Sequence, residues 1–236
     1  MILLALDTCD PRGSVALLRD HDTLSVGVHN TSKDYSIWLL PTVDEILGAV
    51  ALKMTDVDTY AVAAGPGSFT GVRVGLTTVK AWAEVYRRPV VSISRLEVLA
   101  TEATATEPLI AAFADAQRQQ VFGALYRHDE GKLQRIEEEM VIAPDKFVIW
   151  AGEKAGGNRI HWISTEPECV SQTEAWARRR EMNETVEAAN PILAPAIGRL
   201  GYQFALENRL TDALSLDANY VRRSDAEILW KGSQRT

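Results

Sequence analysis

The sequence is poor in the residues that hold metal ions or cross-link a fold. It has two cysteines, Cys9 and Cys169, and four histidines. Two cysteines are too few for a disulfide framework, and neither belongs to a CxxC motif, so we expect a reduced, cytoplasmic protein. The histidines show no spacing typical of metal ligands. We therefore expect no metal site and no intrinsic cofactor.

Excess positive charge and long apolar runs are also missing. The net charge of −7 argues against a protein that binds nucleic acid through its overall field. No apolar stretch approaches the length of a membrane span, and the start, MILLALDTCD, lacks a basic leader. We expect neither a signal peptide nor a membrane partner. The 236 residues, 46% hydrophobic and 24% charged, suit one large globular domain or two small ones.

The most informative stretch is GPGSFTGVRVGL at residues 65–76. It follows an apolar run at 57–64 that predicts a buried strand, and it leads into a predicted helix at 72–86. Its glycines and proline mark a tight turn, which comprises Gly65, Pro66, Gly67, Ser68, Phe69 and Thr70. Ser68 or Thr70 can cap the helix, and the helix dipole could hold an anion there. The alternative is a turn that only needs glycine backbone angles.

The chain divides into two similar halves, 1–105 and 106–236. Each half opens with an apolar strand that ends in an aspartate, Asp7 or Asp115, and continues with a polar turn and two more strands. In the first half, a helix at 34–52, the strand and helix around the glycine turn, a strand at 90–93 and a helix at 95–104 follow. This pattern predicts an α/β fold of the duplicated actin-like (ribonuclease H-like, ASKHA) type, with two lobes of mixed sheets flanked by helices.

The second half becomes less distinctive after its first strands. The pattern predicts a third strand in 133–142, a loop at 152–158, a strand at 161–163 and a charged helix at 174–188. A clearly amphipathic helix follows at 191–208. The pattern leaves open which lobe this final helix belongs to, and packing back on the first lobe is one option.

The first predicted helix carries more apolar surface than one buried stripe needs. Ile37, Trp38, Leu39 and Leu40 are consecutive, and successive helical residues point in different directions. Some of the four should stay exposed and form a partner site. Alternatively, Pro41 interrupts the segment and all four fold into the core.

The second predicted helix has a face of small residues. Gly71 and Gly75 lie one turn apart, and Val79 and Trp82 continue the face. We expect another helix, from this chain or from a partner, to pack closely there. Arg73, in the first turn, could contact a phosphate or a partner carboxylate, and a solvated arginine is an equally good interpretation.

Six segments resemble, in order, those of the TsaB family, bacterial actin-like proteins used in making threonylcarbamoyladenosine in tRNA. They are LALDTCDPRGSVAL, WLLPTVDEIL, GPGSFTGVRVGL, SISRLEVLA, DAQRQQVFGALY and ANYVRRSDAE. The resemblance covers the first 127 residues and the end of the chain. Tyr35 stands in place of a histidine of the family, and Gln117, Gln119 and Gln120 depart from its second-lobe motif.

The resemblance implies a non-catalytic subunit that binds and activates TsaD, which threonylcarbamoylates the adenosine beside the anticodon in tRNAs that decode ANN codons. It implies TsaE as a further partner, tRNA contact only through the complex, a homodimer as an option for the isolated chain, and a nucleotide, if any, at the partner interface. The partner-binding residues it implies are Trp38, Leu39, Leu40, Val43, Leu47, Gly71, Arg73, Gly75, Val79 and Trp82.

TsaD, the catalytic relative of the TsaB family, holds a metal with a His-Leu-Glu-x-His segment, whose two histidines face one ion on a helix. The corresponding segment here runs from Arg95 to Leu99. Arginine stays protonated, and leucine has no lone pair to donate. We therefore expect this chain neither to hold the catalytic metal nor to transfer the group.

The alternatives are an actin-like kinase or ATPase and a metallopeptidase, each acting in the interlobe cleft. The cleft residues would be Asp7, Thr8 and Asp115, which the TsaB interpretation treats as vestigial. Each aspartate could instead hydrogen-bond its own turn, and the missing histidine pair argues against a peptidase. The run at 178–180, three arginines, could touch tRNA, although such runs are usually solvated.

Overall fold

The computed structural model describes residues 1–29, 34–104, 107–129 and 132–222. The expected boundary between the two halves, at 105 and 106, lies outside the described residues. So does the segment 223–236, which includes the end of the ANYVRRSDAE motif.

The first sheet contains, in the described part of the chain, five strands in the order β3-β2-β1-β4-β5. They are β1 (Ile2–Asp7), β2 (Ser14–Arg19), β3 (Asp22–Val28), β4 (Thr59–Ala63) and β5 (Val90–Ile93). The first three pair antiparallel because short turns join them. β4 and β5 run parallel to β1 because helices provide the crossovers.

The second sheet repeats this plan. Its strands are β6 (Leu109–Asp115), β7 (Val121–Asp129), β8 (Lys132–Arg135), β9 (Met140–Ile142), β10 (His161–Ser164) and β11 (Val186–Ala188). The order is β11-β10-β6-β7-β8, and β9 pairs with β7. β6 corresponds to β1: it pairs antiparallel with the following strand and parallel with a strand that comes after a helix. The predicted duplicated α/β architecture, mixed sheets flanked by helices, is confirmed.

Helices connect and cover the strands. They are α1 (Tyr35–Gly48), α2 (Phe69–Tyr86), α3 (Arg95–Thr101), α4 (Pro144–Ala155), α5 (Glu168–Ser171), α6 (Trp176–Glu181) and α7 (Ala194–Leu206), with a 3₁₀ turn at Met54–Asp56. Serine side chains cap two of them. The Ser68 hydroxyl accepts from the Gly71 N–H, and the Ser94 hydroxyl accepts from the N–H groups of Leu96 and Glu97.

The two halves interlock through exchanged helices. α3, from the first half, packs on β6 and β7, and α7, from the second half, packs on β1, β2 and β4. α7 approaches the first sheet closely because it carries glycines: a Cβ at Gly201 would lie 2.6 Å from that of Ala61. Arg199 of α7 also donates to Glu102, just after α3, at 2.9 Å. A continuous apolar core therefore joins the halves.

Three predictions for the second half are wrong in detail. Part of the expected loop at 152–158 is the last turn of α4, which ends at Ala155 and is capped by Gly156 in a left-handed conformation. The expected helix at 174–188 is α6 followed by β11. The single strand expected in 133–142 is divided between β8 and β9. In each case a short polar stretch obscures the periodicity that the prediction uses.

Candidate functional site

The glycine turn at 65–70 connects β4 to α2 and is held by three other segments. The Ser68 N–H donates to the Cys9 carbonyl at 2.6 Å, the Arg95 N–H donates to the Gly65 carbonyl at 2.7 Å, and the Asn219 N–H donates to the Ala64 carbonyl at 2.8 Å. Because Ser68 and Gly71 already use their N–H groups within the chain, the contacts favour a structural turn over the anion site that the sequence also allowed.

The glycine face of α2 packs against the chain's own first turn. A Cβ at Gly71 would lie 2.0 Å from the Thr8 carbonyl oxygen, and one at Gly75 would lie 2.5 Å from the Thr8 hydroxyl. That hydroxyl donates to the Gly71 carbonyl at 2.7 Å. Gly71 and Gly75 are therefore covered by Thr8 of the same chain, and their contact with a partner helix stays a prediction.

Most of the apolar residues predicted to bind a partner belong to the core. They are Trp38, Leu39, Val43 and Leu47 of α1 and Val79 of α2, all of which are buried in the folded chain. Their contact with a partner stays a prediction. The stripe of α1 that faces the sheet takes them inside. Trp82 is half-buried and packs against Tyr60, with 5.7 Å between the ring centroids.

The exposed remainder forms a surface between α1 and α2. Ile37 and Leu40 expose 59% and 55% of their area, as expected for four consecutive apolar residues on one helix. Leu40 lines a groove of about 510 Å³ with Phe69, Thr70, Arg73, Val74 and Thr77. We call this the α1–α2 groove. It is mainly apolar, and Arg73 is its charged residue.

A buried ion pair lies at the end of the first strand. The Asp7 carboxylate accepts from the Cys9 N–H at 2.9 Å and from Arg95 Nε at 3.1 Å, and Asp7 and Arg95 are 1% and 3% exposed. Arg95 also pairs with Asp10. Burial by itself lowers the pKa of the Arg95 guanidinium, but the charges of Asp7 and Asp10 outweigh it and raise that pKa above its ordinary value.

The charges continue across to the second half. Arg12 contacts Asp10 at 3.5 Å and pairs with Glu166, which follows β10. Burial raises the pKa of Asp10, but the charge of Arg95, the Arg12 N–H and the charge of Arg12 together hold it below the usual range. We call Asp7, Asp10, Arg12, Arg95 and Glu166 the charge chain. It alternates in sign and links the two halves.

Tyr35, at the position where the resemblance leads us to expect a histidine, closes the same turn. Its hydroxyl accepts from the Gly13 N–H at 2.8 Å and donates to the Asp10 carbonyl. Burial raises the pKa of Tyr35 well above its ordinary value, so the hydroxyl keeps its proton. Burial likewise raises the pKa of Cys9, whose buried thiol contacts the Ala63 carbonyl. A protonated thiol is a poor nucleophile.

Asp115 occupies the matching position of the second half but not the same environment. Its carboxylate accepts from the Gln117 N–H at 2.7 Å and from the Gln117 side-chain amide at 2.6 Å. No hydrogen bond or ion pair joins Asp115 to Asp7 among the residues that the structure describes. Asp115 therefore satisfies its own turn, whereas Asp7 does so and also pairs with Arg95.

The sequence pattern does not identify Asp10, Arg12 and Glu166 as site residues, and it treats Arg95 only as a lost ligand. One signal was present: Arg95 precedes the apolar run Leu96–Ala100 with a single break at Glu97. A cation in so apolar a helix needs a buried partner. Among the residues that the structure describes, no group of three or more histidine, cysteine or acidic side chains is placed to hold a metal ion.

Comparison with known proteins identifies the family of the chain. The family model described as TsaD, tRNA N6-adenosine threonylcarbamoyltransferase, matches residues 26–178. The tRNA threonylcarbamoyladenosine biosynthesis protein TsaB of Bacillus subtilis is 27% identical over 100% of both chains. The chain belongs to this TsaD-related family, in its TsaB/YeaZ branch.

Solved structures place the TsaB/YeaZ chain in its fold. A Pseudomonas aeruginosa protein described as uncharacterized and similar to the peptidase YeaZ superposes with a TM-score of 0.73 at 26% identity, covering 94% of this chain and 99% of that one. The activator of a Clostridium difficile 2-hydroxyisocaproyl-CoA dehydratase gives a TM-score of 0.50 at 11% identity, with 89% and 97% covered. The predicted actin-like two-lobe fold is confirmed. Within the described ranges no helix is long and apolar enough to cross a membrane.

Proposed function

We propose that this TsaB/YeaZ-family chain is a non-catalytic subunit that docks on a TsaD-type enzyme and activates it for threonylcarbamoylation of the tRNA adenosine beside the anticodon. Its family and the name of its Bacillus subtilis relative support a role in this tRNA modification. The observation that supports docking on this enzyme is the exposed apolar α1–α2 groove. The pairing of Asp7 with Arg95 in the cleft supports a non-catalytic role.

The cleft argues for a non-catalytic role. Asp7 is the aspartate that actin-like relatives are expected to turn toward a metal–nucleotide, and here it pairs with the buried guanidinium of Arg95 at 3.1 Å. A metal ion at Asp7 would have to displace a cation that already satisfies the carboxylate. Arg95 and Leu99 also stand where a TsaD-type enzyme would have two metal ligands, and neither residue can donate a lone pair.

The groove argues for a partner. An apolar patch with a polar rim on an otherwise charged surface is typical of a docking site. Leu40 and Phe69, 55% and 37% exposed, come from two different helices and line the same groove. Two helices that present such a groove suit a partner that contributes two helices of its own.

The remaining partners follow from the same arrangement. We expect TsaE to join the assembly, tRNA to be reached through the complex, and any nucleotide to lie at the partner interface. In isolation a second copy of the chain could occupy the α1–α2 groove. Activation requires that the chain bind two states of the enzyme with different affinity.

The experiment is a reconstitution with Leu40→Glu. Binding to the TsaD-type partner is measured by titration, and tRNA modification is measured with TsaE and threonylcarbamoyl-adenylate present. A carboxylate at the centre of an apolar contact is left without water or a partner, so we expect affinity to fall by at least about 10-fold and modification to fall with it. Ile149→Glu is the matched control, because Ile149 is 54% exposed on α4, away from the groove.

Two outcomes would contradict the proposal. One is a wild-type chain that neither binds the TsaD-type enzyme nor supports modification, and the other is Leu40→Glu behaving like Ile149→Glu. ATP hydrolysis or zinc-dependent peptidase activity of the pure chain, abolished by Asp7→Asn, would favour an independent enzyme that acts in the interlobe cleft.

A further inference from the structure

The segment at 217–222 returns from the second half to the start of α2. Asn219 anchors it: its N–H donates to the Ala64 carbonyl at 2.8 Å, and its side-chain amide donates to the buried Glu139 carboxylate at 2.5 Å. The anchor places Tyr220 beside Phe69, with 5.1 Å between the ring centroids and 32° between the planes. These two residues, 151 positions apart in the sequence, thus lie together at one edge of the α1–α2 groove.

Arg73 contacts both of these aromatic residues. Its guanidinium carbon lies 3.6 Å from the centroid of the Phe69 ring, and its Nε donates to the Tyr220 hydroxyl at 2.9 Å. The two Nη atoms have no hydrogen-bond partner among the described residues. We call Phe69, Arg73 and Tyr220 the arginine clamp.

The three side chains of the clamp are exposed to solvent although they contact one another. Phe69 and Tyr220 are 37% and 44% exposed, and Arg73 is exposed as well. Asn219 already holds the segment at 217–222 in place. Fixing that segment therefore does not require Arg73 to expose its two Nη atoms to solvent. Stacking and the Nε hydrogen bond instead fix the guanidinium in one orientation, so that little rotamer entropy remains to be lost on binding.

We propose that the arginine clamp is a receptor for a carboxylate of the TsaD-type partner, at the edge of the α1–α2 groove. This inference rests on the proposed function. The two free Nη atoms match the two oxygens of a carboxylate, and the clamp is continuous with the groove because Phe69 and Arg73 line both. Arginine and tyrosine are also the residue types that dominate binding energy at interfaces. The segment at 217–222 thereby becomes part of the docking surface.

The test is a set of variants titrated with the TsaD-type partner at several salt concentrations. We expect Arg73→Gln to weaken binding by about 10-fold or more at low salt and to flatten the salt dependence, because one ion pair is removed. Arg73→Lys keeps the charge but loses the fork, so it should weaken binding less and keep the salt dependence. Tyr220→Phe keeps the ring but loses the hydroxyl that accepts from Arg73 Nε, and we expect the affinity for the partner to fall by about threefold.

A charge exchange identifies the partner group. Each aspartate and glutamate on the partner's docking helices is changed to lysine in turn. For the partner residue that pairs with Arg73, the lysine variant should bind the wild-type chain weakly, and Arg73→Glu should restore the binding. Thermal unfolding of each variant shows whether the fold is kept. A salt slope lost in Arg73→Gln with the melting temperature unchanged would not arise from a merely structural role.

The clamp and the proposed function fail in different ways. If Leu40→Glu abolishes binding while Arg73→Gln binds within twofold of wild type with the same salt dependence, the clamp inference is overturned and the function stands. If the wild-type chain does not bind the TsaD-type enzyme at all, both are overturned. If nucleotide competes with the partner at wild-type Arg73 and not at Arg73→Gln, the clamp holds a phosphate and the carboxylate assignment is wrong.

Discussion

Single residues of the same type have different surroundings that the sequence does not distinguish. Tyr60 and Tyr126 are both buried, but the Tyr126 hydroxyl lies 3.5 Å from the Glu139 carboxylate. The Tyr60 hydroxyl has no hydrogen-bond partner among the described residues. Burial, with the neighbouring Tyr86, raises the pKa of Tyr60 to about 12 against the effect of Arg88. Tyr60 therefore carries a neutral hydroxyl that has lost water without gaining a protein partner.

We expect Tyr60→Phe to increase the free energy of unfolding by roughly 1 kcal/mol, because the unsatisfied hydroxyl is removed and the ring contact with Trp82 is kept. Urea denaturation measures the change. Tyr126→Phe is the matched control and should lower stability, since it leaves Glu139 with one donor fewer. A Tyr60→Phe variant that is less stable than wild type would show that the hydroxyl has a partner.

At the scale of elements, α2 is shaped by what its glycines contact. Helix propensity alone favours alanine over glycine by about 1 kcal/mol. Packing decides otherwise at Gly71, where a Cβ would lie 2.0 Å from the backbone carbonyl oxygen of Thr8. A backbone atom cannot move aside as a flexible side chain can. The glycines of α2 therefore place the turn after β1, and with it Asp7.

We expect Gly71→Ala to lower the free energy of unfolding by about 1–3 kcal/mol, since overpacking outweighs propensity. Gly48→Ala is the control: Gly48 ends α1, and a Cβ there would have no atom within 4 Å. That variant should be neutral or slightly stabilised. Equal stability of the two variants, measured by thermal or urea unfolding, would mean that Thr8 does not pack against α2 in this way.

At the scale of the whole molecule, the charge chain links the halves and depends on pH. The folded-state pKa of Asp10 lies below its usual range, so the unfolded state takes up a proton first as the pH falls. The stabilisation by Asp10 is therefore complete above the ordinary aspartate pKa of about 3.9 and is lost as the pH falls through the lower folded value.

We expect Asp10→Asn to be less stable than wild type at neutral pH and the difference to shrink as the pH falls below about 4. Denaturant unfolding at a series of pH values measures it. Asp22→Asn, at an exposed aspartate of β3, is the control for removing a surface carboxylate. A difference between Asp10→Asn and wild type that stays constant from neutral pH to pH 3 would exclude the charge of Asp10 as its source.

The first half could be predicted well because its periodicities are strong. The glycine turn, the strands around it and the helices on either side lie close to where the sequence puts them, and the family follows from the same segments. Part of the second half could not be predicted in this way. The residues of α4 and β11 mix charged and apolar side chains, so their structure depends on packing against β7 and β10 rather than on local pattern.

The sequence by itself determined the duplicated fold and the family, because these depend on local periodicity and on short motifs along the chain. Only the tertiary structure decided which residues face outward. It buried Trp38 and Val79, turned Gly71 and Gly75 toward Thr8, and left Leu40 exposed. It also joined Arg95 to Asp7 and Tyr220 to Arg73. Such pairs are far apart in the chain, and only the packing of the two halves brings them together.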